Sequence, residues 1–212
     1  MELQLDLVEA RVLGALIEKE ISTPEYYPLT LNSLAAACNQ KNNRDPVVEF
    51  DEKAVVRALD SLRLVQLARM VSGAEQRVPK YYHRAGETLG LERPALALIC
   101  ELLVRGPQSS GELRTRGNRM ARIADVGEVE AALRNLSEHA DGPFVIKLPR
   151  APGTRDARYA HLLSGGVHVA PQPEEPQEPA SPRPGLAERL GRLEAEVESL
   201  RLEVEELKRR GS

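Results

Sequence analysis

The sequence predicts a mainly α-helical protein with small β-wings, an α+β fold class, and three observations support this prediction. The order helix, helix, helix, strand, turn, strand occurs in residues 1–86 and again in residues 87–164. The 212 residues include two Phe and no Trp, so the cores must consist of Leu, Val and Ala, which favour helices. A Pro-rich stretch and a heptad pattern then complete the chain.

The first copy begins with apolar residues at helical spacing over residues 5–20. Thr30 is placed to cap a second helix through "LNSLAAAC", which the polar loop "NQKNNRDP" follows. Asp51 is placed to cap a third helix, whose apolar face consists of Val55, Leu59 and Leu62. The segments "VQLARMVS" and "RVPKYYHR" predict two strands joined by a turn.

The second copy repeats this order. The segment "RPALALICELLVRG" predicts a helix, and Ser109 or Ser110 caps a second one through "SSGELRTRG". Asp125 and Glu128 form a capping-box pattern at the third helix. Its apolar positions Val129, Leu133 and Leu136 repeat the spacing of the first copy, and "FVIKLP" and "RYAHLL" predict the strands. This element order predicts two winged-helix domains, residues 1–86 and 87–164.

The C-terminal part has a different composition. Residues 165–185 contain six prolines and predict an extended, disordered linker. Residues 186–210 predict a coiled-coil helix that forms a parallel homodimer, because Leu occupies the d positions and Val two of the a positions. An amphipathic helix folded back on the body is the alternative. The predicted dimerisation residues are Leu186, Leu190, Leu193, Val197, Leu200, Val204 and Leu207.

Composition and spacing argue against an enzyme. The net charge is −3, and residues 1–164 hold 22 basic and 22 acidic residues. None of the four histidines has a partner at metal-ligand spacing, and no glycine-rich phosphate loop follows a strand. His83 and His161 lie at equivalent strand ends and predict a structural role. We therefore expect no catalytic residue, no metal and no cofactor, and we interpret Glu18 to Glu20 as a solvated helix end.

The two cysteines and the apolar segments predict a reduced, cytoplasmic protein. Cys38 and Cys100 lie far apart in apolar helical runs, which indicates small buried side chains. The N-terminus "MELQLDLVEA" is acidic and does not resemble a signal peptide. The most apolar run, "PALALICELLV", is interrupted by Glu101 and is too short for a membrane span.

Polar and basic residues in the helix-turn-helix segments and in the second wing predict binding to double-stranded DNA, where they would contact phosphates or base edges. Two features oppose this prediction: the third helices begin with acidic residues, and Asn side chains also build tight loops. The alternative is a protein-interaction module that binds no DNA. The candidate DNA-binding residues are Lys41, Asn42, Asn43, Arg44, Lys53, Arg57, Arg114, Arg116, Arg119, Arg122, Arg155 and Arg158.

Several motifs resemble one bacterial protein family. They are "EARVLGALIEKEISTPEYYPLTLNSLAAACNQKNNRDPV", "MVSGAEQRVPKY", "RGPQSSGELRTRGNRM", "DGPFVIKL" and "RYAHLLSG". With these motifs the chain resembles the YceH-like family, and the similarity extends over nearly its whole length. The resemblance implies a tandem winged-helix fold and no defined biochemical role. The segment "KYYHRAGETLGLER" is shorter than the family pattern, so the connection between the two copies differs.

Overall fold

Helices and small antiparallel sheets form the protein in the computed structural model, which describes residues 3–72, 78–150, 153–154, 156–165, 197–198 and 201. The mixed α+β class predicted from the sequence is confirmed. The chain divides into two compact units, Met1–His168 and Val169–Ser212. All elements named below belong to the first unit.

The first copy contains three helices and two strands in the predicted order, with one further strand and a short 3₁₀ helix. Asp6 caps α1 in a complete capping box with Glu9. The predicted caps Thr30 and Asp51 both accept a backbone N–H of their helix. The elements are α1 (Leu7–Ser22), the 3₁₀ helix (Pro24–Tyr26), β1 (Leu29–Thr30), α2 (Leu31–Cys38), α3 (Glu52–Leu64), β2 (Ala68–Val71) and β3 (Lys80–His83).

The second copy has the same order after a short connecting helix. Ser109 is the cap of its second helix and forms a capping box with Glu112. Asp125 caps the third helix, but the Glu128 carboxylate accepts the Ala124 N–H instead of that of Asp125, so the predicted box is displaced by one residue. The elements are α4 (Ala85–Thr88), α5 (Arg93–Arg105), β4 (Gln108–Ser109), α6 (Ser110–Gly117), α7 (Val126–Ser137), β5 (Val145–Lys147) and β6 (Arg158–His161).

Each copy carries a three-stranded antiparallel sheet of the same topology. The strand orders are β1-β3-β2 and β4-β6-β5, so the last strand of each copy is central. Leu29 pairs with Tyr81 in the first sheet, and Gln108 pairs with Tyr159 in the second. The two-residue strands β1 and β4 were not predicted, because two residues are too few to show a period of two.

The cores consist of aliphatic side chains, as the composition predicts. The apolar faces of both third helices are at most 1% exposed, which confirms the predicted spacing. Cys38 and Cys100 are free and buried, and burial raises the pKa of the Cys38 thiol to about 12. These cysteines therefore pack as small apolar residues.

Helices α1 and α5 pack closely, and this contact joins the two copies into one core. A Cβ atom added to Gly14 would lie 2.7 Å from Val104 Cγ1 and 3.0 Å from Leu103 Cβ, so only glycine fits at this contact. The Cys100 thiol donates to the Gly14 carbonyl across the same contact, at 3.3 Å. The sequence repeat predicts two domains, but it does not predict this shared helix interface.

The predicted linker, residues 165–185, lies outside the described residues except for Gly165. Among the predicted dimerisation residues, Leu186, Leu190, Leu193, Leu200, Val204 and Leu207 also lie outside them. Val197 is described: it is helical and 47% exposed. In the part of the chain that the structure describes, no helix is long and apolar enough to cross a membrane.

Candidate nucleic-acid interface

The outer face of α3 carries basic side chains without partners. Lys53 and Arg57 are exposed, and within the described ranges neither forms a hydrogen bond or an ion pair. Arg63, one and a half turns further along, is paired with Asp60 at 3.2 Å. With Val55, Leu59 and Leu62 buried, the charges of Lys53 and Arg57 are directed to solvent, where they can contact a ligand.

The equivalent face of α7 lacks these charges. Aligning Asp51 with Asp125 places Gly127 and Ala131 at the positions of Lys53 and Arg57. Glu128 and Glu130 add negative charge to the start of α7 and leave this helix less suited to phosphate than α3. The two copies therefore share a fold but not a surface.

The loop between α2 and α3 is closed by an asparagine. Asn39 Nδ2 donates to the Phe50 carbonyl and Asn39 Oδ1 accepts the Phe50 N–H, both at 2.8 Å. Asn43 has a φ of +61° and accepts a hydrogen bond from Arg105, so it also shapes the loop. Lys41 and Asn42 are exposed between these two anchors, and no hydrogen bond or ion pair holds them within the described chain.

Arg44 does not belong to this surface, and the prediction that it contacts DNA is corrected. Its side chain is 0% exposed and bonds to Glu18 Oε2 at 2.5 Å. The same guanidinium donates to the Ala37 carbonyl at 2.8 and 3.2 Å. These internal bonds hold Arg44 away from solvent, so it cannot reach a phosphate.

Arg119 is also paired inside the protein, although its side chain stays partly exposed. Its Nη2 bonds to Glu18 Oε1 at 2.7 Å and to Glu101 Oε1 at 2.9 Å, and its side chain is 35% exposed. We call Glu18, Arg44, Glu101 and Arg119 the buried charge cluster. Arg105 lies at its edge, 3.2 Å from Glu101 Oε2.

The buried charge cluster joins the two copies. Glu18 lies on α1 and Glu101 at the equivalent place on α5, and each pairs with an arginine that follows the second helix of its own copy. Burial by itself raises the pKa of Glu18, but the hydrogen bonds and charges of Arg44 and Arg119 outweigh it, and the net pKa is lowered. The interpretation of Glu18 as part of a solvated helix end was wrong. A glutamate inside an apolar helical run, present in both copies, was the signal for this cluster.

The remaining basic candidates of the second copy have mostly local partners. Arg114 donates to the Ala124 carbonyl at 2.9 Å, and Arg116 donates to Gln108 Oε1 at 2.6 Å. Arg158 is exposed and lies 3.6 Å from Glu112. Arg122 is exposed without a hydrogen bond or ion pair in the described part of the chain, and Arg155 lies outside it.

The titratable residues of the described ranges form no group of three His, Cys, Asp or Glu that could hold a metal ion. His83 is held by neighbours: its Nε2 lies 2.8 Å from Glu20 Oε2, and its Nδ1 accepts the Ala85 N–H at 3.1 Å. The hydrogen bond from His83 lowers the pKa of Glu20. The Tyr27 hydroxyl accepts the His83 backbone N–H at 2.7 Å, so this histidine fixes the end of β3.

Comparison with known proteins places the chain in a family. The model of the family described as "Protein of unknown function, DUF480" matches residues 5–154. The chain belongs to the DUF480 family. This agrees with the resemblance noted from its motifs, and the match to the DUF480 model includes α3, the loop before it and the whole buried charge cluster.

Relatives of this DUF480 protein are similar over almost their whole length. A UPF0502 protein of Pelobacter propionicus is 52% identical over 99% of this chain and 95% of its own. A UPF0502 protein of Geotalea daltonii is 53% identical over 92% and 89%. A UPF0502 protein of Photobacterium profundum is 45% identical over 98% and 96%. These names assign no activity.

Proposed function

We propose that residues 1–86 and 87–164 are two winged-helix domains and that the first binds double-stranded DNA. The observation that carries this proposal is the pair of unpartnered basic residues, Lys53 and Arg57, on the exposed face of α3. In winged-helix proteins the third helix enters the major groove, and the preceding helix and turn contact the backbone. Lys41 and Asn42 are exposed in that turn and are suited to phosphate.

The second domain contributes less to this interface. The proposed interface keeps Arg122, Arg114 and Arg158 as weak phosphate contacts. It excludes Arg44, which is buried, and does not rely on Arg119, which is paired with Glu18 and Glu101. A weak surface on one chain gains affinity when a second copy binds the same duplex. We propose that residues 186–210 supply that second copy through a parallel coiled coil, and the exposure of Val197 supports this. The protein would act in the bacterial cytoplasm as a transcriptional regulator, without catalysis or a cofactor.

A salt titration of DNA binding tests the proposal. The double variant Lys53→Ala/Arg57→Ala should bind duplex DNA about tenfold more weakly, and its slope of log affinity against log salt should fall by about 2. The control is Arg63→Ala/Arg84→Ala, which removes the same charge from arginines that are paired with Asp60 and Glu87. The control should keep the slope of the unmodified protein. A double variant that binds like the control would refute the assignment of α3.

A protein-interaction module is the second candidate, and a groove with two exposed apolar side chains favours it. The groove lies between the end of α3 and β2, where Leu64 is 84% and Met70 39% exposed. Side chains of this type anchor protein partners when they are exposed. A Leu64→Asp variant should then lose a stoichiometric partner that the unmodified chain retains, while the α3 double variant keeps it. If the α3 double variant loses DNA binding and the Leu64→Asp variant keeps it, the first candidate is favoured.

A further inference from the structure

A pocket of about 240 Å³ opens where α1, α5 and β6 meet. Its walls are mostly apolar and include Leu7 and Ala10 of α1, Leu103 of α5 and Ala160 of β6. Arg11 and His161 also line it, and both carry a buried nitrogen without a partner. This volume lies below the roughly 300–1,000 Å³ of sites for drug-sized ligands, so the pocket suits a small molecule.

Arg11 brings an incompletely paired positive charge into this pocket. The residue is 1% exposed. Its Nη1 donates to the Cys38 carbonyl at 3.2 Å and its Nη2 to the Pro46 carbonyl at 2.8 Å, but its Nε has no hydrogen-bond partner. No carboxylate of the described residues forms an ion pair with it. Asp45 and Glu18 act on this charge without bonding to it. Buried charges are normally paired directly, so this guanidinium lacks a bonded anionic acceptor.

His161 supplies the second open position. Its Nδ1 is buried and has no hydrogen-bond partner, whereas the equivalent His83 uses both ring nitrogens. In His83 the Nδ1 accepts the Ala85 N–H, whereas no backbone N–H of the described residues reaches the Nδ1 of His161. The two histidines also differ at Nε2, because aligning Glu18 with Glu101 places Leu103 where the first copy has Glu20. Burial also lowers the pKa of His161 to about 4, so the ring is neutral at pH 7 and one nitrogen can donate.

We infer that this pocket binds a small monocarboxylate with a short apolar body. One carboxylate oxygen accepts the Arg11 Nε–H, and the other accepts the Nδ1–H of neutral His161. The apolar body packs against Leu7, Leu103 and Ala160. The ligand thereby gives each of the two unpaired nitrogens a hydrogen-bond acceptor and covers the apolar wall of the pocket.

Other ligand classes fit less well. Asp45 lines the same pocket and repels any anion, so it disfavours a doubly charged phosphate more strongly than a singly charged carboxylate. A phosphate also offers more acceptor positions than the two free donors satisfy. A neutral ligand of the same shape would leave the guanidinium without a directly bonded anion. Charge and hydrogen-bonding capacity therefore both favour a single carboxylate.

A titration of the full-length, ¹⁵N-labelled protein tests the inference without any variant. Isovalerate should give saturable amide shifts at Ala10, Arg11, Ala160 and His161. Isovaleramide has the same shape without the charge and should bind at least about tenfold more weakly, because a charge-assisted hydrogen bond is lost. Equal binding of acid and amide would overturn the inference, as would tighter binding of inorganic phosphate. Absence of saturable shifts with isovalerate, hexanoate and benzoate would also overturn it.

Variants then assign the two donors. His161→Ala should weaken isovalerate binding several-fold, and the control His139→Ala, at a histidine outside the pocket, should leave it unchanged. Arg11→Met should abolish binding. If Arg11→Met does not fold, the inference is still tested by the comparison of isovalerate with isovaleramide and by the comparison of His161→Ala with His139→Ala. Equal effects of the two histidine variants would contradict the proposed geometry.

Discussion

Replacing Arg119 with methionine should destabilise the folded protein, because this side chain bonds to carboxylates on both α1 and α5. Its Nη2 donates to Glu18 at 2.7 Å and to Glu101 at 2.9 Å. Both carboxylates are at most 3% exposed, so solvent cannot replace the lost donor. Methionine keeps much of the side-chain volume, and the loss is therefore mainly electrostatic.

The expected loss can be worked out from these contacts. A hydrogen bond to a charged group contributes about 1.5–3 kcal/mol, and a buried ion left without a partner costs about 3–5 kcal/mol. Glu18 keeps Arg44 and Glu101 keeps Arg105, so neither carboxylate is left alone. Arg119 is also partly solvated, which weakens its contribution. We expect the free energy of unfolding to fall by about 2–4 kcal/mol.

Urea unfolding of the full-length variant measures this loss, with Arg122→Met as the control. Arg122 is three residues further along, exposed and without a partner in the described chain, so its replacement should change stability by less than about 0.5 kcal/mol. High salt should leave the difference between the variants nearly unchanged, because buried pairs are poorly screened. Equal stability of the two variants would refute the role of Arg119 in joining the copies.

Three further predictions concern packing, pH and assembly. Gly14→Ala should destabilise the protein by about 1–3 kcal/mol, because the added Cβ would contact Val104. Gly111→Ala should stabilise it by about 0.5–1 kcal/mol, because its added Cβ lies 4.0 Å from its nearest neighbour. Urea unfolding that shows a change of the same sign in both variants would contradict this prediction. Because burial lowers the pKa of His161 from 6.5 to about 4, the unfolded chain binds the extra proton between these values. The free energy of unfolding should therefore decrease on the order of 2 kcal/mol as pH falls from about 6.5 to about 4. The decrease should be smaller in the His161→Ala variant, and urea unfolding at a series of pH values measures both. A chain ending at residue 165 should sediment as a monomer, and an unchanged dimer would place the interface in residues 1–165.

Local signals in the sequence were sufficient to predict most helices and four of the six strands. Caps such as Thr30, Asp51 and Ser109 act on backbone groups three residues away, so a short window contains the necessary information. The apolar faces of α3 and α7 follow from helical periodicity in the same way. The strands β1 and β4 form only by pairing with strands about fifty residues away, which no local pattern records.

The candidate site shows the same limit. Lys53 and Arg57 were identified from the sequence and are exposed, because polar residues opposite an apolar helical face normally face solvent. Arg44 and Arg119 have the same chemistry in the sequence, yet they are occupied by Glu18 and Glu101. A charged residue in a polar loop can face water or a distant carboxylate, and the loop's own sequence does not distinguish these cases.

The sequence by itself determined the order of elements, the repeat and the composition of the cores, because these depend on neighbours within a few residues. The tertiary structure decided which charges are buried and which nitrogens lack partners. The packing of α1 on α5 at Gly14 brings Glu18 within reach of Arg119, one hundred and one residues away, and leaves Arg11 and His161 facing one pocket. Such contacts depend on how the helices pack against each other, and they contribute to stability only after residues that are distant in sequence have come together.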